Sequence, residues 1–223
     1  NLSTPGSGTA SFNKSNPLGF NGGSTISFTV SDTVAGSFTV HAENTSNSSL
    51  SGESGEITVN AGSADHFVIN SSQDSIEVGA QRVQNVSLAD SYGNGLASEN
   101  VTFTRIHGSG TFSNGTAAIV SATDAGGEAQ ATYTASQEMS FVRDSIEVGY
   151  NTVKDTIVLP LKTGSVSYYS FDPSGSQSVS AGTGISYTVT ARDQYGNAVN
   201  NSGSVNLSTP GSGTASFNKS NPL

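Results

Sequence analysis

Residues 1–18, NLSTPGSGTASFNKSNPL, recur unchanged at 206–223, so the chain carries an internal repeat with a period of 205 residues. Eighteen identical residues do not arise by chance, and self-similarity at a fixed period constrains every later assignment of fold. A weaker repeat of half that length lies inside it. Asp90-Ser-Tyr-Gly-Asn94 returns as Asp193-Gln-Tyr-Gly-Asn197, and Gly108-Ser-Gly-Thr111 returns as Gly211-Ser-Gly-Thr214, both 103 residues on. Gly6-Ser-Gly-Thr9 stands 102 residues before Gly108, so two such steps complete the longer period. The unit is a pair of diverged domains, A and B, each about a hundred residues long.

The phase of the repeat predicts where these domains fall. Residues 1–62 read as the C-terminal part of a domain A, 63–163 as a complete domain B, and 164–223 as the N-terminal part of the next copy of A. Domain A is thus expected to join residues 164–223 to the equivalent of 19–62 in a neighbouring copy. One version is a window cut from a single long array. The other is a polymer in which each subunit completes the next by donating strands. In a polymer, 1–18 and 206–223 would compete for one strand position, which favours the array.

Period-2 alternation of β-branched and aromatic residues is frequent, and no stretch has the pattern of an amphipathic helix. In B, strands are expected at 66–70, 75–78, 83–89, 100–105, 117–123, 129–135 and 156–161, with a strand or long hairpin arm at 139–148. In A they are expected at 167–171, 185–191, 205–208, 25–30, 38–42 and 56–59, with Tyr169 and Phe171 pointing inward. Gly-Asn, Gly-Gly and Asp-Pro punctuate these segments at turn positions. About seven short strands per hundred residues predict an all-β fold of tandem Ig-like, Greek-key β-sandwich domains placed end to end. A β-solenoid would need a period of roughly 20–30 residues, and none is visible.

Composition agrees with thin sandwiches. Only 33% of residues are hydrophobic and 11% charged, which suits strands with one apolar face and an outer face of Ser and Thr. The net charge of −9, with eight scattered Lys and Arg, offers no basic stripe for nucleic acid. No apolar run of 18 residues is present, so no membrane insertion is expected. The absence of Cys and Trp rules out disulfides, thiolate metal sites, a Cys nucleophile and the Cys…Trp…Cys core of antibody domains.

The strings TVTARDQYGNAV, TDAGGEAQATYTA and SDTVAGSFTVHA resemble the bacterial Ig-like domains of invasin- and intimin-type adhesins and of giant surface proteins. In that family D-x-Y-G-N closes the second strand, and the Asp…Gly…alternating-apolar string leads into a later one. The resemblance covers nearly the whole chain. It implies display outside a bacterial cell and end-to-end stacking with neighbouring copies of the repeat. It also implies a shaft of a fibre or adhesin that holds a ligand-binding tip, absent here, away from the surface. Catalysis is not implied. The alternatives are a carbohydrate- or surface-binding module and an accessory domain of a secreted enzyme.

Candidate sites are few. Asp90 and Asp193, within D-x-Y-G-N, and Asp65 and Asp172, near the domain junctions, carry the hard oxygen donors that calcium takes. The competing reading has Asp90 and Asp193 accepting from backbone amides, while Gly-Asn shapes a tight turn. No cofactor is otherwise expected. His41, His66 and His107 lack zinc-ligand spacing, and no Ser stands in a nucleophile elbow. Sequons for N-glycosylation occur at Asn44, Asn47, Asn70, Asn85, Asn100, Asn114, Asn200 and Asn206. The short junctions at 61–63 and 162–164 predict that successive domains touch.

Overall fold

The computed structural model describes residues 1–211 and 215–218. Strands dominate: β1 (Leu2–Ser3), β2 (Ser11–Phe12), β3 (Val30–Ser31), β4 (Gly36–Phe38), β5 (His41–Glu43), β6 (Ser51–Glu53) and β7 (Ile57–Val59) come first. They are followed by β8 (Ala64–Ile69), β9 (Ile76–Glu77), β10 (Gln81–Asp90), β11 (Asn100–His107), β12 (Thr111–Phe112), β13 (Ala118–Ala122), β14 (Glu128–Thr134), β15 (Arg143–Tyr150) and β16 (Val153–Lys162). Last come β17 (Tyr168–Asp172) and β18 (Thr188–Arg192).

The central segment, β8 to β16, is a two-sheet sandwich. One sheet has the order β12-β14-β10-β8 and the other β13-β11-β15-β16-β9. Alternation drives the layering. In β10 the side chains of Gln84, Val86 and Leu88 are buried on one face, and in β14 those of Ala129, Ala131 and Tyr133 join them. Phe103 of β11 and Val148 of β15 close the core from the opposite sheet with no exposed surface. The Phe103 and Phe112 rings meet edge-on at 6.3 Å, and Phe112 meets Tyr133 at 5.1 Å, which ties the two sheets through aromatic contact. Gln84 is polar yet lies on this inward face, with a side chain as buried as its neighbours.

The flanking segments repeat parts of this plan. The bridge Ala89–Gly95 beyond β10 returns as Arg192–Ala198 beyond β18, 103 residues later. The Leu88–Phe67 pairing of β10 with β8 returns as Ala191–Tyr169 of β18 with β17. Tyr169 and Phe171 therefore hold the places of Phe67 and Ile69. Phe67 is 6% exposed, whereas Tyr169 and Phe171 are 42% and 46% exposed. The expected inward packing of Tyr169 and Phe171 is therefore not seen: they are as exposed as Tyr168 on the opposite face, and among the described residues of the C-terminal segment no second sheet covers them.

Strand prediction holds in the centre and loosens at both ends. The 139–148 arm divides into a turn of 3-10 helix at Met139–Phe141 and the strand β15. Expected strand 25–30 is reduced to β3, and 205–208 has no strand. The repeated 18 residues differ between their two occurrences. Leu2–Ser3 pairs with His41 and Ala42, and Ser11–Phe12 pairs with Val30 and Ser31. The same residues at 207–208 and 216–217 form no strand.

Candidate functional site at the junctions

Asp90 ends β10 where the chain turns back. The Gly93 N–H donates to Asp90 O at 3.0 Å and the Asp90 N–H to Asn94 O at 2.9 Å, which closes the turn. The Asp90 carboxylate is buried and receives four donors. Tyr92 N–H and Asn94 N–H reach Oδ1 at 2.9 Å each, Gly62 N–H reaches Oδ2 at 2.8 Å, and Asn94 Nδ2 reaches Oδ2 at 2.9 Å. The Gly62 bond fixes the linker entering the sandwich. Asn94 then reaches the preceding segment. Its Oδ1 accepts from Ala35 N–H and its Nδ2 donates to Thr33 O, each at 2.8 Å.

The same device stands at the next junction. Asp193, fully buried, accepts from Tyr195 N–H at 2.9 Å, Asn197 N–H at 3.0 Å and the linker Gly164 N–H at 3.3 Å. Asn197 Nδ2 donates to the carboxylate and to Gln137 O at 2.7 Å, and its Oδ1 accepts from Met139 N–H at 2.9 Å. Each D-x-Y-G-N string is therefore a clasp. Its Asp holds the linker, and its Asn reads one N–H and one C=O of a loop in the segment upstream.

The second repeated motif prepares that loop. Ser7 and Thr9 of the first Gly-Ser-Gly-Thr donate their hydroxyls to Asp32, next to Thr33. In the central sandwich Ser109 N–H and Gly110 N–H donate to Ser136 Oγ at 2.6 and 3.0 Å, next to Gln137. Ser136 N–H in turn donates to the buried Asp144 at 2.7 Å. The two motifs recur together because one positions what the other binds.

The carboxylates at these sites are held in their charged form. The Asn94 side chain, then the Gly62 N–H, lower the Asp90 pKa far below its usual 3.8, and burial opposes them without success. Burial likewise works against Asp193, but Asn197, Tyr195 and Gly164 together outweigh it and its pKa is lowered. The Ser7 and Thr9 hydroxyls and the Val34 N–H bring Asp32 to about 2. A carboxyl whose folded pKa is depressed adds stability above its unfolded value, and that stability is lost as pH falls through the folded value. The thermal unfolding midpoint should therefore be insensitive to pH above about 5. It should fall below the unfolded value of 3.8 and keep falling through about 2, where Asp32 protonates. Calorimetry across this range tests it, and a midpoint that rises on acidification from pH 3.8 would contradict it.

The other sequence-derived candidates lie apart from the clasps. Asp65 is exposed, with its Oδ2 3.1 Å from His66 Nδ1, and Asp172 is exposed at the end of β17. Among the described residues no three His, Asp or Glu side chains gather as metal ligands. Asn44, Asn70, Asn100, Asn114 and Asn206 are exposed, whereas Asn85 lies half-buried in the middle of β10. Thr33, Ala35, Gln137 and Met139 contribute only backbone groups to the clasps, so no residue type marks them in the sequence.

No family model matches the chain, and no curated protein matches it. Among solved structures it is similar to surface layer protein SbsC, domains 1-6, at 20% identity and TM-score 0.35, over 76% of this chain and 21% of that one. It is similar to domains 4 and 5 of the same S-layer protein at 19% identity and TM-score 0.34, over 60% of this chain and 62% of that one. It is also similar to a glycosyl hydrolase family 2 member from Bacteroides cellulosilyticus DSM 14838, at 17% identity and TM-score 0.36, over 59% of this chain and 19% of that one. The chain thus spans about a fifth of the first of these structures. Likeness at this level assigns neither activity nor partner.

Proposed function

We propose that the chain is a structural repeat of an extracellular fibre or adhesin shaft, with no catalytic role, that transmits length and load through successive sandwiches. The observation that supports this most is the recurrence of one clasp at both junctions, with the same Asp, the same Asn and the same kind of backbone target. A flexible linker needs no such device, whereas a shaft needs each domain set at a fixed angle to the last. In this reading 1–62 and 164–223 are parts of the alternate domain, completed by the neighbouring copies in the array.

The strand layout of the central sandwich suits tension. Force enters through β8 and leaves near Lys162 at the end of β16. The strand that follows β8, β9, pairs in parallel with β16 through Ile76–Leu161 and Glu77–Lys162. Pulling the termini apart slides these two strands past each other. The ladder bonds, the Val78 N–H to Lys162 O bond at 3.0 Å and the Lys162–Glu77 ion pair at 3.6 Å are then strained together rather than one at a time.

Stretching a multi-repeat chain between a surface and a probe tests the reading. The expected record is a regular series of abrupt unfolding events, each releasing about 300–350 Å of contour length, as a domain of a hundred residues gives at ~3.3–3.6 Å per residue. Smooth extension without discrete events would sink the load-bearing role.

A further inference from the structure

The clasp turns differ in one respect. Tyr195, the tyrosine of the second D-x-Y-G-N, packs against the Gly79 turn of the central sandwich. A Cβ added at Gly79 would stand 2.6 Å from the Tyr195 Cε2 and closer still to its hydroxyl, so only glycine leaves room for the ring. Tyr92, its counterpart, is 69% exposed against 37% for Tyr195. Yet the Asn94 clasp beside Tyr92 is already made.

The missing seat is elsewhere in this chain. Gly182 lies 103 residues after Gly79 and forms the same turn: Thr183 N–H donates to Ser180 O at 2.9 Å, as Ala80 N–H donates to Glu77 O at 3.0 Å. Both glycines have positive φ, +85° at Gly182 and +70° at Gly79, where a side chain is strained. Nothing lies within 4 Å of a Cβ built on Gly182, so the seat is open.

Resting on the shaft reading above, we infer that Tyr92 docks on the Gly182 turn of the preceding copy of this same repeat. The ring-on-glycine contact seen at the Tyr195–Gly79 junction thereby recurs at every junction of the array. The partner is another copy of this chain, and the surface is the Val179–Thr183 turn facing the Tyr92 turn. Asn94 holds one side of the alternate domain and Tyr92 the other, which fixes rotation about the shaft axis as well as bending.

Tyrosine nitration by tetranitromethane, read by peptide mass spectrometry, tests this in the 223-residue chain and in a chain of two successive 205-residue repeats. In the shorter chain Tyr92 should react several-fold faster than Tyr195, and Gly79→Ala should raise Tyr195 to the Tyr92 level. In the two-repeat chain the modified fraction of both Tyr92 and Tyr169 should fall by half, because one of two copies of each is covered. Gly182→Ala should restore Tyr92 while Tyr169 stays protected. Protection of Tyr169 without protection of Tyr92 would overturn the lock and leave the array reading intact. Protection of neither would remove both, and Tyr92 protection that survives Gly182→Ala would place its contact elsewhere and also overturn the lock.

Discussion

Phe103→Ala is expected to destabilise the central sandwich by ~3–5 kcal/mol, a large share of the stability a domain of this size has. Phe103 has no exposed surface and faces Phe112 at 6.3 Å, with Tyr133 meeting Phe112 in turn at 5.1 Å. These three rings come from both sheets, so removing the Phe103 ring leaves a cavity that neither sheet can close alone. Denaturant titration of the variant measures the effect. A loss below about 1 kcal/mol would mean that the two sheets are held mainly by something other than this cluster.

The second large effect concerns the clasp and separates its two halves. Asp90→Ala removes the acceptor for the Gly62, Tyr92 and Asn94 N–H groups and for the Asn94 amide. Orphaned donors in a buried turn should lower the unfolding midpoint by roughly 5–10 °C. Asn94→Ala leaves the carboxylate with its three backbone donors and should change that midpoint little. It removes the bonds to Thr33 and Ala35, so it should instead free the preceding segment and speed proteolysis within residues 60–64. Equal effects of the two variants on both readouts would show that linker fixation and loop recognition are one interaction rather than two.

The central fold is largely legible in the sequence because its strands alternate cleanly. Val83–Ala89 lies inside β10 and Ala129–Ala135 overlaps β14 to within a residue at each end, and both bury the expected face. The ends are less legible for a physical reason. Strand formation is not local, and the same Leu-Ser pair that lies in strand β1 at residues 2–3 carries no strand at 207–208. Gln84 in the core also breaks the simple pattern, since a polar residue at an inward position reads as an outward one.

The D-x-Y-G-N strings stand out by their repetition, and the turn itself follows from their composition. Their partners do not. Asn94 and Asn197 bind backbone groups of Thr33, Ala35, Gln137 and Met139, which share no residue identity between the two junctions. Only the Gly-Ser-Gly-Thr motif hints at that loop, because its spacing to the next D-x-Y-G-N is nearly kept from one domain to the next.

Small-angle X-ray scattering from chains of one, two and three repeats tests the central claim most directly. A ten-residue strand such as β10 is ~34 Å long, so two sandwiches in line should add about 70–90 Å to the maximum dimension with every 205-residue repeat. A constant increment, with an unchanged cross-section, is the predicted result. An increment that shrinks with each added repeat, as in a chain of freely jointed domains, would contradict a clasped shaft.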